Sequence, residues 1–218
     1  MKKRKRVKEA PFLGLINDRN HITIICGKKG SGKSTLFLRL LLSPAGWCGK
    51  YDRIVFISPT FRHQYNSLWS VLSPEGVTVF EEVDDALISR LIDEQAACDG
   101  ERSLLVVFDD VGEVLRHTDP QLINRFVSNS RHLSISIVLL LQKLTQAPTI
   151  FRCNTDCFIC FAACAEVELR ALFNEVSILD RRQFYQMFRD TTQRPYGFLV
   201  ISIQAGKIST YRDFKAVV

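Results

Sequence analysis

The string GKKGSGKS, residues 27–34, spaces glycines, a lysine and a serine as a phosphate-binding loop requires. Gly27, Gly30 and Gly32 let the backbone curl until successive N–H groups point inward as an anion nest. Lys33 is then placed to reach the β- and γ-phosphate oxygens, and the Ser34 hydroxyl to hold Mg²⁺. Lys28, Lys29, Ser31 and Thr35 complete the segment that lies along a bound nucleotide. The second group is acidic: LLVVFDD, residues 104–110, ends an apolar run in two carboxylates. Asp109 suits the Mg²⁺ shell opposite Ser34, and Asp110, one residue on, suits polarising an attacking water. The third group lies in NSRHLSISIVLLLQ, residues 129–142, where Gln142 closes an apolar run as a neutral donor and acceptor. It is suited to sensing a γ-phosphate through a hydrogen bond. Arg131, before that run, can supply positive charge to a phosphoryl group held by a neighbouring subunit, or form a surface or interface salt bridge. Together these residues spell Mg²⁺-dependent hydrolysis of a nucleoside triphosphate.

Such chemistry needs elements that bring the three groups to one edge. HITIIC, residues 21–26, reads as a buried strand, and TLFLRLLL, residues 35–42, is apolar on a helical period, so strand, glycine loop and helix follow in order. Residues 53–58 and 77–80 read as further strands, residues 61–72 and 83–97 as helices, and residues 103–110 as the strand that carries Asp109 to its carboxyl end. Asp119–Pro120 starts a helix bearing Leu122, Ile123, Phe126 and Val127. Residues 135–142 form another buried strand; if it lies between the two motif strands, Gln142 faces the γ-phosphate and Arg131 sits at the opposite end of the sheet. A strand over 156–163, helices over 165–174 and 180–188, and a terminal β-hairpin around Gln204, Ala205 and Gly206 complete the reading. Strands alternating with helices predict a mainly parallel α/β sheet flanked by helices.

The bulk numbers set the frame. At 218 residues, 46% of them hydrophobic, the chain can bury a full core, and it divides into a basic tail over 1–10 and one domain over 11–218. Of the net charge of +6, five units come from the first nine residues, which hold six Lys/Arg and one Glu. Such an arm contacts nucleic-acid phosphates, serves as a nuclear-import address, or solubilises the chain. No apolar run reaches membrane-spanning length and no secretory segment opens the chain, so an intracellular protein without membrane insertion is expected. Seven cysteines suit reduced core thiols better than a disulfide framework. Cys153, Cys157, Cys160 and Cys164 have metal-like spacing, but on a strand Cys157 and Cys160 point to opposite faces.

The order GKKGSGKS, LLVVFDD, NSRHLSISIVLLLQ resembles the viral genome-packaging ATPases of the FtsK/HerA superfamily, in the poxvirus-type branch shared by large DNA viruses and virophages. VFISPT at 55–60 and TQAPTIFRCNTDCF at 145–158 fit the same resemblance, which covers roughly residues 20–165. Ser130 stands where that family often has Gly before its Arg–His pair. The resemblance implies a P-loop NTPase of the RecA-like (ASCE) type with ATP as its nucleotide, a homo-oligomeric ring of five or six subunits, and translocation of double-stranded DNA into a preformed capsid. Capsid vertex proteins would then be partners, and the site of action would be a host-cell viral factory or nucleus, with the virion included. Arg131 is the first candidate for an arginine acting across the ring, with Arg152 next. Two other readings remain open on the residues: a helicase- or segregation-type DNA pump, and an assembly protein in which ATP only stabilises an oligomer.

Overall fold

A computed structural model describes residues 20–61, 77–162, 165–176 and 180–216. The basic tail, most of the helix expected over 61–72, and Cys164 lie outside these residues. Six parallel strands form the centre: β1 (Ile22–Cys26), β2 (Arg53–Ile57), β3 (Val77–Phe80), β4 (Leu104–Asp109), β5 (Ile135–Leu141) and β6 (Cys157–Phe161). Three antiparallel strands, β7 (Phe198–Gln204), β8 (Lys207–Arg212) and β9 (Lys215–Ala216), extend one side, giving the order β3-β2-β4-β5-β1-β6-β7-β8-β9. The expected hairpin is β7–β8, turned by Ala205 and Gly206, both at positive φ, as a two-residue hairpin turn demands.

The central strands are mostly apolar because helices cover both faces, with Thr23, Ser136 and Asp109 the buried polar exceptions in β1, β5 and β4. Alternate residues divide between two cores. Ile24, Phe108, Leu139 and Cys160 face one, and Ile25, Val107, Leu140 and Cys157 face the other. Cys157 and Cys160 are therefore buried on opposite faces. Among the described residues the α-helices are α1 (Lys33–Leu42), α2 (Asp85–Ala97), α3 (Gly112–His117), α4 (Pro120–Asn129), α5 (Thr149–Cys153), α6 (Glu166–Val176) and α7 (Arg181–Thr192). Phe37 and Leu41 of α1 pack on the second core with Trp47, whereas Ile88 of α2, Phe126 of α4, Leu172 of α6 and Phe184 of α7 enter the first. Caps fix where several helices start. Asp84 accepts from the Leu87 amide, and Asp119 from that of Gln121 with Pro120 at the first helical position. Among the described residues, no helix is long and apolar enough to cross a membrane.

The feature that matters for chemistry is the place of β5, between β1 and β4. Cys26 pairs with Leu141 and Asp109 with Leu140, so the three strands end level. The ladder continues one step further on either side: the Gly27 amide donates to Leu141 O (3.1 Å) and the Asp110 amide to Leu140 O (3.0 Å). The glycine loop, the acid pair and Gln142 thus emerge at one carboxyl edge, the edge at which open α/β sheets bind ligands.

Candidate nucleotide site

The loop between β1 and α1 is held by close packing and left-handed backbone. A Cβ at Gly27 would lie 2.7 Å from Phe161 Cβ and 2.8 Å from Ser31 Oγ, so only glycine fits under the curl. Gly32, at φ 99°, caps α1 in the conformation glycine adopts without strain. Lys28, Lys29, Gly30 and Thr35 are exposed, and Ser31, Gly32, Lys33 and Ser34 are half-buried. The Lys33 ammonium donates to Gly27 O (2.6 Å) and Lys28 O (3.3 Å), which seats the charge in the middle of the curl. The first amides of a helix lack intrahelical acceptors, and the first turn of α1 carries no acidic side chain. The positive end of α1 is therefore open to an anion.

Asp109, at the end of β4, is buried and accepts a hydrogen bond from Ser58 Oγ (3.0 Å). The next residue differs in kind. Asp110 is exposed, takes φ 58°, and turns its carboxylate to Gln142, whose Nε2 donates to Asp110 Oδ2 at 2.8 Å. An aspartate is among the residues that adopt this backbone at least cost. The sheet edge thus joins the expected water-polarising acid to the expected γ-phosphate sensor by one hydrogen bond.

Arg131 lies at the opposite edge, before β5, as the strand order requires. Its Nη2 donates to Asp156 Oδ1 (2.7 Å), and Asp156 Oδ2 accepts the Ile22 amide (2.8 Å). Burial pushes the Asp156 carboxyl above the usual range, against the opposing pull of the Ile22 amide and of Arg131. The Arg131 side chain is 62% exposed and Arg152, paired with Glu175 at 2.7 Å, only 19%. Of the two arginines, Arg131 is the more accessible to another molecule.

A Mg²⁺–triphosphate fits this donor set. A buried carboxylate (Asp109), a hydroxyl at the helix start (Ser34), an ammonium within the loop (Lys33) and a carboxylate–amide pair (Asp110, Gln142) stand at one edge, each a group that holds or reacts with such a ligand. Sequence reasoning assigned no role to Ser58, Phe161 or Asp156. Ser58 carried a usable signal, since it follows an apolar strand at the same edge as Asp109. Asp156 and Phe161 carried none, because their work depends on β6 lying beside β1.

Parallel strands in this order, with the Gln142 strand between those of the glycine loop and the acid pair, define a P-loop NTPase of the RecA-like type. The chain belongs to the family described as Poxvirus A32 protein, whose pattern it matches over residues 13–207. It is 23% identical to the uncharacterized protein 075L of Invertebrate iridescent virus 6, over 84% of this chain and 70% of that protein. Its fold is similar to the genome packaging NTPase B204 from Sulfolobus turreted icosahedral virus 2 in complex with ATPγS, with a TM-score of 0.68 at 19% identity over 93% of this chain and 100% of the other. The pCW3 conjugation coupling protein TcpA, in its monomer form with ATPγS, shares the fold with a TM-score of 0.62 at 16% identity over 88% of this chain and 60% of its own.

Proposed function

We propose that the protein is an ATP-hydrolysing motor that moves double-stranded DNA into a preformed viral capsid, working as a homo-oligomeric ring in the infected cell. The domain over 11–218 carries the motor and the tail over 1–10 adds basic contacts. The observation that carries the reading is the Asp110–Gln142 hydrogen bond beside the glycine loop, in a chain of the Poxvirus A32 family. A protein that only stored ATP as an assembly signal has no use for a water-polarising acid tied to a sensor. The likeness in fold to B204, the DNA-packaging ATPase from Sulfolobus Turreted Icosahedral Virus, supports DNA as the cargo.

Gly27 to Ser34 bind the triphosphate through amides and Lys33, and Thr35 continues the contact along α1. Ser34 and Asp109 would hold Mg²⁺, which supplies neutralising charge on the β- and γ-oxygens. Ser58 fixes the orientation of Asp109. Asp110 accepts a proton from water as the water oxygen attacks the γ-phosphorus and the bond to the β–γ bridging oxygen breaks. Gln142 exchanges its hydrogen bond between Asp110 and the γ-phosphate, so that loss of that phosphate is felt at the base. Arg131 acts on the site of the next protomer in the ring, where a head-to-tail interface presents it. Capsid vertex proteins receive the ring.

Steady-state ATPase with and without long duplex DNA, with particle mass measured in the same samples, tests the proposal. Expected are turnover in an oligomer of five or six subunits, stimulation by duplex, and loss of turnover in Lys33→Ala. A monomer that hydrolyses ATP at a rate indifferent to duplex DNA overturns it; stimulation by single strands alone assigns a helicase instead.

A further inference from the structure

We propose that Tyr196 forms a stacking wall for the base of the bound nucleotide, and that this wall favours purines. The inference rests on the phosphate loop binding a triphosphate and adds the part of the ligand that the loop does not touch. Three observations converge on Tyr196. It is 71% exposed, and the other large hydrophobic side chains exposed among the described residues, Leu42, Val114 and Val167, are aliphatic. Its Cδ1 lies 3.2 Å from where a Cβ at Gly32 would stand, so the ring flanks the last glycine of the loop at the start of α1. Its backbone is at φ 60°, a conformation unfavourable for a bulky residue. Phe214 is the other bulky aromatic at positive φ among the described residues, and it is half-buried against Phe198 at 5.1 Å. Tyr196 therefore bears a local cost with its ring largely in solvent, a combination found where a ligand uses the ring.

The turn that presents the ring is built rather than loose. The Gly197 amide donates to Arg194 O (3.0 Å), and a Cβ at Gly197 would lie 2.9 Å from Thr191 O. Arg194 pairs with Asp213, which also accepts the Phe198 amide (3.1 Å), tying the turn to the segment between β8 and β9. Beneath it Phe198 packs on Phe161 at 5.3 Å, and Phe161 in turn supports Gly27. The loop and the tyrosine thus share one aromatic foundation, so their separation is fixed. A triphosphate seated in the nest must direct its nucleoside past the flank of the loop, where a π-face is available to it. Stacking of a base on an aromatic ring is sequence-tolerant but grows with the area of the base, which favours purine over pyrimidine.

Calorimetric titration of ATP, CTP and inorganic tripolyphosphate, each with Mg²⁺, into the full chain and its variants tests this. Tyr196→Gly relieves the positive-φ cost while removing the ring. It should melt no lower than the parent, bind ATP about tenfold more weakly, bind tripolyphosphate unchanged, and lose preference for ATP over CTP. Tyr196→Phe keeps the ring and should bind ATP within about twofold of the parent. Unchanged ATP affinity in Tyr196→Gly overturns the proposal, as does an equal loss for ATP and tripolyphosphate. Lys33→Ala separates the underlying reading: if it binds tripolyphosphate as the parent does, the phosphate loop itself is misassigned, whatever Tyr196 does.

Discussion

At the scale of single residues, Asp110 is where geometry and chemistry can be separated. Its positive φ and its bond to Gln142 both survive in Asp110→Asn, because asparagine adopts this backbone and its carbonyl oxygen still accepts from Nε2. What is lost is the negative charge that takes a proton. We expect ATP to bind within a fewfold of the parent while kcat falls by about 10²–10⁴; an equal loss of ATP affinity would make Asp110 a metal ligand or a structural residue. The loop, Asp109, Asp110 and Gln142 were legible because each is a local string. Their meeting was not, since it depends on β5 lying against β4 and on one left-handed residue. Tyr196 was illegible for the same reason, being more than 150 positions from the glycine it flanks. His21 shows residue-scale physics of another kind. It is buried, bonded through Nε2 to Tyr51 Oη (2.9 Å) and through Nδ1 to Thr23 Oγ1 (3.0 Å), and stacked on Trp47. Burial lowers its pKa to about 3, against about 6.5 in an unfolded chain. The unfolded state binds the proton first, so this contribution is complete above pH ~6.5 and is lost on acidification towards pH ~3, at about 1.4 kcal/mol per pH unit. Urea midpoints between pH 4 and 7 should fall less steeply in His21→Gln than in the parent; parallel slopes would contradict the assignment.

At the scale of elements, the Asp156 carboxylate clips three strands together at the edge opposite the nucleotide: it precedes β6, accepts the first amide of β1 and pairs with Arg131 ahead of β5. Asp156→Ala leaves the Ile22 amide buried without its acceptor, a cost of about 1–3 kcal/mol. Arg131→Ala removes a largely exposed guanidinium while the Ile22 amide keeps its acceptor, so it should cost less, and Asp156→Asn should recover most of the loss by offering an oxygen to the amide. Chemical denaturation of the three variants checks the order; a larger loss in Arg131→Ala than in Asp156→Ala would reverse it. The central strands were readable because burial on both faces makes them predominantly apolar, and Asp119–Pro120 marked a helix start that α4 uses. The strand expected to run to residue 163 ends at Phe161. The short helices α3 and α5, the 3₁₀ turn Leu144–Gln146 and the two-residue β9 were not read, because none is long enough to show a period. That 3₁₀ turn has a function in the architecture: Glu168 of α6 accepts from the amide (3.0 Å) and hydroxyl (2.6 Å) of Thr145, so the segment leaving Gln142 is anchored to a helix.

At the scale of the whole molecule, the strand order puts Gln142 and Arg131 at opposite ends of the same sheet strand, so in the proposed ring Arg131 would serve a neighbouring site more readily than its own. Arg131→Ala should be nearly inactive yet bind ATP, and Lys33→Ala should be inactive as well. Mixed rings should recover part of the activity, because Arg131 from a Lys33→Ala subunit can complete the intact loop of its Arg131→Ala neighbour. Mixed rings that form and stay inactive would remove Arg131 from that role and bring forward Arg152, which would have to leave Glu175 as Arg131 has to leave Asp156. Hydrolysis gated by a neighbour is what a ring needs if it is to work on DNA without idling as single subunits. The most direct measurement of the central claim is displacement of a labelled third strand from long linear duplex DNA. We predict that the parent displaces it only with hydrolysable ATP and that Asp110→Asn binds the same DNA and ATP without displacing it; DNA-stimulated hydrolysis with no displacement, or displacement by Asp110→Asn at the parental rate, would contradict the account.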